Sequence, residues 1–186
     1  MDVVKGLATV ELLAMDVDGV LTDGSIGYDD GHDEQKRFHV ADGLGLVLMR
    51  QAGIRVAWIS GRASAAVERR AAELRIPYVL QGIRDKRQVL CDLIATLGMH
   101  RDQVAYVGDD WNDLPAFQEV GIAIAVENAA PEVKRAAHLI TVSRGGNGAI
   151  REVCDAILDF RCETDRALDR YLQSITGPFV DPGNSQ

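Results

Sequence analysis

Short apolar and β-branched runs alternate along this chain with longer stretches in which apolar positions recur every three or four residues. Residues 12–15, 54–59, 77–80, 103–107, 121–126 and 139–142 read as strands; residues 44–52, 63–74, 86–97, 113–120 and 148–160 read as helices. Apolar strands separated by helices imply a parallel sheet, because parallel neighbours need crossovers and right-handed crossovers lay helices against both faces. The predicted fold class is therefore α/β, and ligands are expected beyond the carboxyl ends of the strands.

One segment breaks the rhythm. Residues 25–28 and 34–40 alternate partly and flank Asp29-Asp30-Gly31, a turn signal, so the pattern predicts a β-hairpin projecting after the first strand. Residues 1–176 read as one domain. Residues 177–186, with Gly177-Pro178 and Pro182-Gly183 and little that packs, read as a flexible tail.

Composition narrows the partners. A chain of 186 residues with 47% hydrophobic and 26% charged residues suits one core. A formal charge of -8 argues against a nucleic-acid groove or an anionic membrane as partner, since both require clustered Lys and Arg. Cys91, Cys154 and Cys162 are odd in number and lack metal-site spacing, which fits a reducing cytoplasm. The first fifteen residues include Asp2 and Glu11 and no leader-like apolar run, and no stretch reaches the roughly 20 apolar residues of a bilayer span.

The chemistry collects at strand ends. The first strand runs into Asp16-Val17-Asp18-Gly19, which brings two carboxylates and a turn-permitting glycine to the ligand edge. A calcium loop would begin similarly, but its twelfth position is Gly27 rather than Glu. The second strand ends in Ser60-Gly61-Arg62, whose hydroxyl and guanidinium suit phosphoryl oxygens. Lys86 opens a helix behind Asp85, where an ammonium can neutralise a nucleophilic carboxylate and a phosphoryl group. The fourth strand leads into Gly108-Asp109-Asp110-Trp111-Asn112-Asp113, so Asp16 and Asp109 converge as oxygen ligands for magnesium.

D-x-D-G, Ser, Lys and G-D-D-x-x-D, each at a strand end and in this order, resemble the four motifs of the haloacid dehalogenase superfamily of phosphotransferases. That resemblance implies a Rossmann-like sheet. It implies that Asp16 attacks phosphorus and that Asp18 serves as general acid and base. Ser60 and Lys86 would hold phosphoryl oxygens, and Asp16, the Asp18 carbonyl and Asp109 would bind Mg2+. Asp113 would steady Lys86 or a water on the metal.

Residues 23–43 hold only the hairpin and residues 62–86 only a helix and a strand, so this is similar to a capless member of that superfamily. From residue 12 to 160 the chain resembles the 3-deoxy-D-manno-octulosonate 8-phosphate phosphatase family, notably at 16–23, 38–45, Gly82 with Lys86, 104–113 and Gly145-Gly146-Asn147-Gly148-Ala149-Ile150-Arg151-Glu152. The resemblance implies a sugar-acid phosphate bound by Asp18, His39, Val40, Ala41, Asp42, Gly43, Arg62, Arg70 and Lys86. It also implies a homotetramer docked through the hairpin, and the tail is expected to reach a neighbour's pocket. Ala41, Val47 and Asn147 depart from the basic residues of well-known members.

Three alternatives stand beside this reading: a phosphatase for nine-carbon sialic-type 9-phosphates, a catalytically idle oligomerisation module, and a receiver domain. Asp18 as acid and base and the length of the chain argue against the last. His32, His100 and His138 read as non-catalytic, and Trp111 as a packing residue.

Overall fold

Leu12-Leu13-Ala14-Met15 is wholly buried, as expected of a strand covered on both faces. It forms β1 (Leu12–Met15), at the centre of a sheet whose order is β5-β4-β1-β6-β7-β8. The flanking strands are β4 (Arg55–Ile59), β5 (Tyr78–Leu80), β6 (Val104–Gly108), β7 (Ile122–Ala125) and β8 (Leu139–Ile140). All pairings in it are parallel, with Leu12 opposite both Arg55 and Val104. The chain is described here from a computed structural model that covers residues 3–28 and 34–176.

The crossovers are α2 (Val40–Gln51), α3 (Ala65–Leu74), α4 (Lys86–Thr96), α5 (Leu114–Phe117) and α6 (Pro131–Ala136); α1 (Val3–Ala8) precedes the sheet and α7 (Ala149–Phe160) and α8 (Thr164–Ile175) follow it. The Rossmann-like α/β reading holds. Between β1 and α2 lie only β2 (Gly27–Tyr28) and β3 (Glu34–Gln35), paired antiparallel, and between β4 and α4 only α3 and β5. No further domain interrupts the described residues at either place.

Several boundaries differ from the sequence reading. Strand pairing in the hairpin stops at Gln35, and Val40, expected in a strand, is the first residue of α2. Asp42 explains that helical start: it is buried, and its carboxylate accepts the N–H groups of Gly148 and Arg151 across the seam to α7. The helix expected over 113–120 is instead a 3-10 turn (Trp111–Asp113) followed by α5, because the Asp113 carboxylate folds back on the N–H groups of Asp109 and Asp110. Helices α1, α6 and α8 were not anticipated. The turn at 29–31, His32 and the tail at 177–186 lie outside the described residues.

Candidate active site

β1 and β6 are adjacent and end at the same edge, so Asp16 and Asp109 leave the sheet side by side; the Asp16 N–H donates to the Val107 carbonyl at 3.0 Å. Asp16 is only 4% exposed. Its Oδ1 accepts the Val17 N–H at 2.7 Å, and its Oδ2 meets the Lys86 ammonium at 2.7 Å.

Lys86 occupies the first position of α4, where the positive end of the helix dipole disfavours a cation. The Asp85 carboxylate caps that end by accepting the Gln88 N–H at 3.0 Å. Burial alone would lower the Lys86 pKa, but Asp113 and Asp16 outweigh it and hold the ammonium above its ordinary value. The lysine is thus a fixed charge.

Asp113 is fully buried and saturated. Its Oδ1 accepts from Lys86 Nζ at 2.8 Å and from the Tyr106 hydroxyl at 2.9 Å, while Oδ2 accepts the N–H groups of Asp109 at 2.9 Å and Asp110 at 3.3 Å. Three carboxylates, Asp16, Asp109 and Asp113, come within 4.8 Å of one another. Asp113 has no oxygen to spare for a metal, so its role is to aim Lys86 and the loop that carries Asp109.

Asp109 differs. Its Oδ1 is buried with no hydrogen-bond partner, and Oδ2 lies where a Cβ on Gly19 would come within 2.0 Å. Gly19 has φ 86°, so only a residue without a side chain allows both the turn and this approach. Burial, then Asp113 and Asp16, push the Asp109 pKa up to about 8; burial and Asp113 push that of Asp16 up to about 7, despite Lys86. Two adjacent acids with one orphaned buried oxygen fit a hard divalent cation.

A cavity of about 250 Å³ opens over these residues, lined by Asp16, Asp18, Arg62, Asp109, Asp110 and Asn112 together with Gly24 and Gly61. Ser60 lies just past β4 on the same edge, buried, with its Oγ accepting the Arg62 N–H at 3.1 Å. Of the residues expected to bind substrate, Asp18 and Arg62 line this cavity and Lys86 touches Asp16 beneath it. The remainder form a separate cluster: His39 stands just before α2 without a side-chain hydrogen bond to it, Val40 is 80% exposed, and the Arg70 guanidinium presses on Gly43, where a Cβ would meet it at 2.4 Å.

Sequence reasoning missed the hairpin's contribution. The Lys36 ammonium is fully buried between the carboxylates of Asp18 and Glu34, and Glu34 also pairs with Arg62 at 3.3 Å. Burial lowers the Lys36 pKa less than the two acids raise it. It missed Tyr106 as well, since a tyrosine in an apolar strand carries no mark of a partner seven residues on. The glycine-rich segment has a packing reason: a Cβ on Gly145 would fall 1.7 Å from the Gly19 carbonyl oxygen, so this loop braces the turn after Asp16.

The family model for haloacid dehalogenase-like hydrolases matches residues 79–153, which include Lys86, Asp109 and Asp113. The 3-deoxy-D-manno-octulosonate 8-phosphate phosphatase KdsC of Yersinia pestis is 43% identical over 157 residues, 84% of each chain. That of Escherichia coli K12 is 40% identical over 166 residues, 89% of this chain and 88% of the relative. The crystal structure of the Moraxella catarrhalis enzyme of that name, in complex with magnesium ion, phosphate ion and KDO, superimposes with a TM-score of 0.88 at 42% identity, over 91% of this chain and 98% of the other. This chain belongs to the haloacid dehalogenase superfamily and, within it, to the 3-deoxy-D-manno-octulosonate 8-phosphate phosphatase family.

Proposed function

We propose that this chain is a Mg2+-dependent phosphatase that hydrolyses 3-deoxy-D-manno-octulosonate 8-phosphate to the free sugar acid and phosphate through a phospho-aspartate on Asp16. The observation that carries the proposal is the buried Asp16 carboxylate, ion-paired to Lys86 beside the orphaned oxygen of Asp109.

Asp16 forms the new bond to phosphorus as the bond to the sugar oxygen breaks, and Asp18 supplies the proton that leaves with the sugar. Asp18 then takes a proton from water, whose oxygen bonds to phosphorus as the bond from phosphorus to Asp16 breaks, releasing phosphate and restoring the Asp16 carboxylate. Lys86 offsets the repulsion between carboxylate and phosphoryl group, and Ser60 offers its hydroxyl to a phosphoryl oxygen. Asp16, Asp109 and the Asp18 carbonyl would hold the magnesium, which supplies charge neutralisation at the phosphoryl oxygens. Arg62 presents a planar donor pair suited to the sugar's carboxylate. His39, Val40, Ala41, Asp42, Gly43 and Arg70 belong to the proposed substrate set through the resemblance alone; Asp42 already has a structural duty.

Ala41, Val47 and Asn147 stand where well-known eight-carbon members have basic residues, which leaves a second reading, a nine-carbon sialic-type 9-phosphate as substrate. A homotetramer is proposed to complete the open edge; the exposed apolar residues Ile26, Tyr28 and Val40 around the hairpin support it. We also take residues 1–176 as one domain and the cytoplasm as its compartment; among the described residues no helix is long and apolar enough to cross a membrane.

The test is phosphate release from both sugar phosphates with and without Mg2+, using Asp16→Asn as blank. Dominant turnover of the eight-carbon ester is expected. Preference for the nine-carbon ester would overturn the substrate assignment, and turnover by Asp16→Asn would overturn the mechanism.

A further inference from the structure

At the end of the sheet opposite Asp16, where β4 and β5 begin, a cavity of about 250 Å³ opens between α2, α3 and the sheet. Its walls are apolar, formed by Leu46, Ile54, Val56, Leu74, Ile76 and Pro77. Its rim carries three arginines, Arg50, Arg55 and Arg75. Among the described residues no carboxylate pairs with any of the three. In a chain of net charge -8, this is a local inversion of sign.

Two features hold the rim in place. Arg50 Nη1 donates to the Leu74 carbonyl at 2.8 Å, so its guanidinium spans from α2 to the end of α3 with its other donors left for a ligand. Arg75 ends α3 in the left-handed conformation, φ 55° and ψ 45°. Helices α2 and α4 meet the same need with glycines, Gly53 at φ 80° and Gly98 at φ 64°. At the mouth of the cavity the chain instead keeps an arginine against the backbone's preference.

We propose that this cavity binds a small amphipathic carboxylate, with its apolar body between the walls and its carboxylate at the arginine rim. A planar carboxylate matches the paired donors of guanidinium groups, and desolvated apolar walls favour a hydrocarbon body over water. Inorganic phosphate would leave the walls unfilled, and a neutral or cationic molecule would leave the rim uncompensated. The inference is independent of the phosphatase reading, since none of its lining residues lines the cavity over Asp16.

Octanoate is the probe, titrated calorimetrically into the full chain, with octanol and octylamine as neutral and cationic counterparts. Arg75→Gly removes the guanidinium while easing the left-handed backbone, so it tests the rim without threatening the fold; Arg55→Ala is the second variant. Octanoate is expected to bind saturably, one per chain, and to weaken by about tenfold in each variant, as loss of a charge-assisted hydrogen bond implies. Octanol and octylamine are expected not to compete. Absence of saturable octanoate binding, affinity unchanged from the wild type in both variants, or equally tight binding of octanol would each overturn the proposal.

Discussion

Two regions of this molecule bury carboxylates, and they treat them in opposite ways. At the α2–α7 seam, burial raises the pKa of Asp42, and the N–H groups of Gly148 and Arg151 that its carboxylate accepts offset only part of that rise. At the β1–β6 edge, Asp109 keeps a buried oxygen with no partner and shares its surroundings with Asp16 and Asp113. Both regions use acids near helix or loop N–H groups. The first is complete in itself and locks α2 to the loop that braces Gly19; the second is completed only by something the chain does not supply. A satisfied buried acid marks architecture here, and an unsatisfied one marks chemistry.

The contrast can be broken most severely at Asp16. Asp16→Asn is expected to lower kcat by about 10^4-fold or more, measured as phosphate release, with the fold intact by circular dichroism. Asp113→Asn comes next: it weakens the grip on Lys86, and kcat is expected to fall roughly 10–100-fold with KM little changed. A loss confined to KM would instead place Asp113 in substrate binding.

At the satisfied seam the effect should be on stability. Asp42→Ala removes a helix cap and strands two N–H groups, and is expected to cost about 1–3 kcal/mol in denaturant unfolding while leaving kcat within about twofold. A raised KM in a stable Asp42→Ala protein would show that the carboxylate also reaches substrate.

Protons sharpen the comparison further. Asp109 and Asp16 have folded pKa values raised to about 8 and about 7, above an ordinary 3.8, so their ionisation opposes folding and that penalty grows as pH rises from about 4 through 8. Protons compete with Mg2+ for Asp109 below about 8 and for Asp16 as well below about 7. Apparent Mg2+ affinity is expected to fall by about tenfold per pH unit for each proton displaced, measured by titration at pH 8, 7 and 6.

Much of this was legible in the sequence, and the parts that were not have physical reasons. The six sheet strands were placed to within two residues because buried parallel strands are continuous apolar runs with sharp ends. Asp16, Lys86 and Asp109 were legible because each stands at such an end, which topology alone brings together. Helix α8 was missed because its chain is mostly polar and only Ala167 and Tyr171 pack against the core, while Leu168 and Leu172 stay exposed. The pairing of Lys36 with Asp18 spans a turn and follows no fixed spacing, and the fate of Asp42 depends on a loop more than a hundred residues away.

The central claim is that the β1–β6 edge gives up stability in order to receive a cation, and thermal unfolding of Asp109→Asn at pH 8 tests it most directly. Asparagine imitates the neutral acid, so the variant is expected to melt above the wild type when both are in EDTA, by about 2–4 °C for each kcal/mol recovered, and to lose the rise in Tm that Mg2+ gives the wild type. A variant that melts lower than the wild type in EDTA, or that still gains stability from Mg2+, would contradict the account.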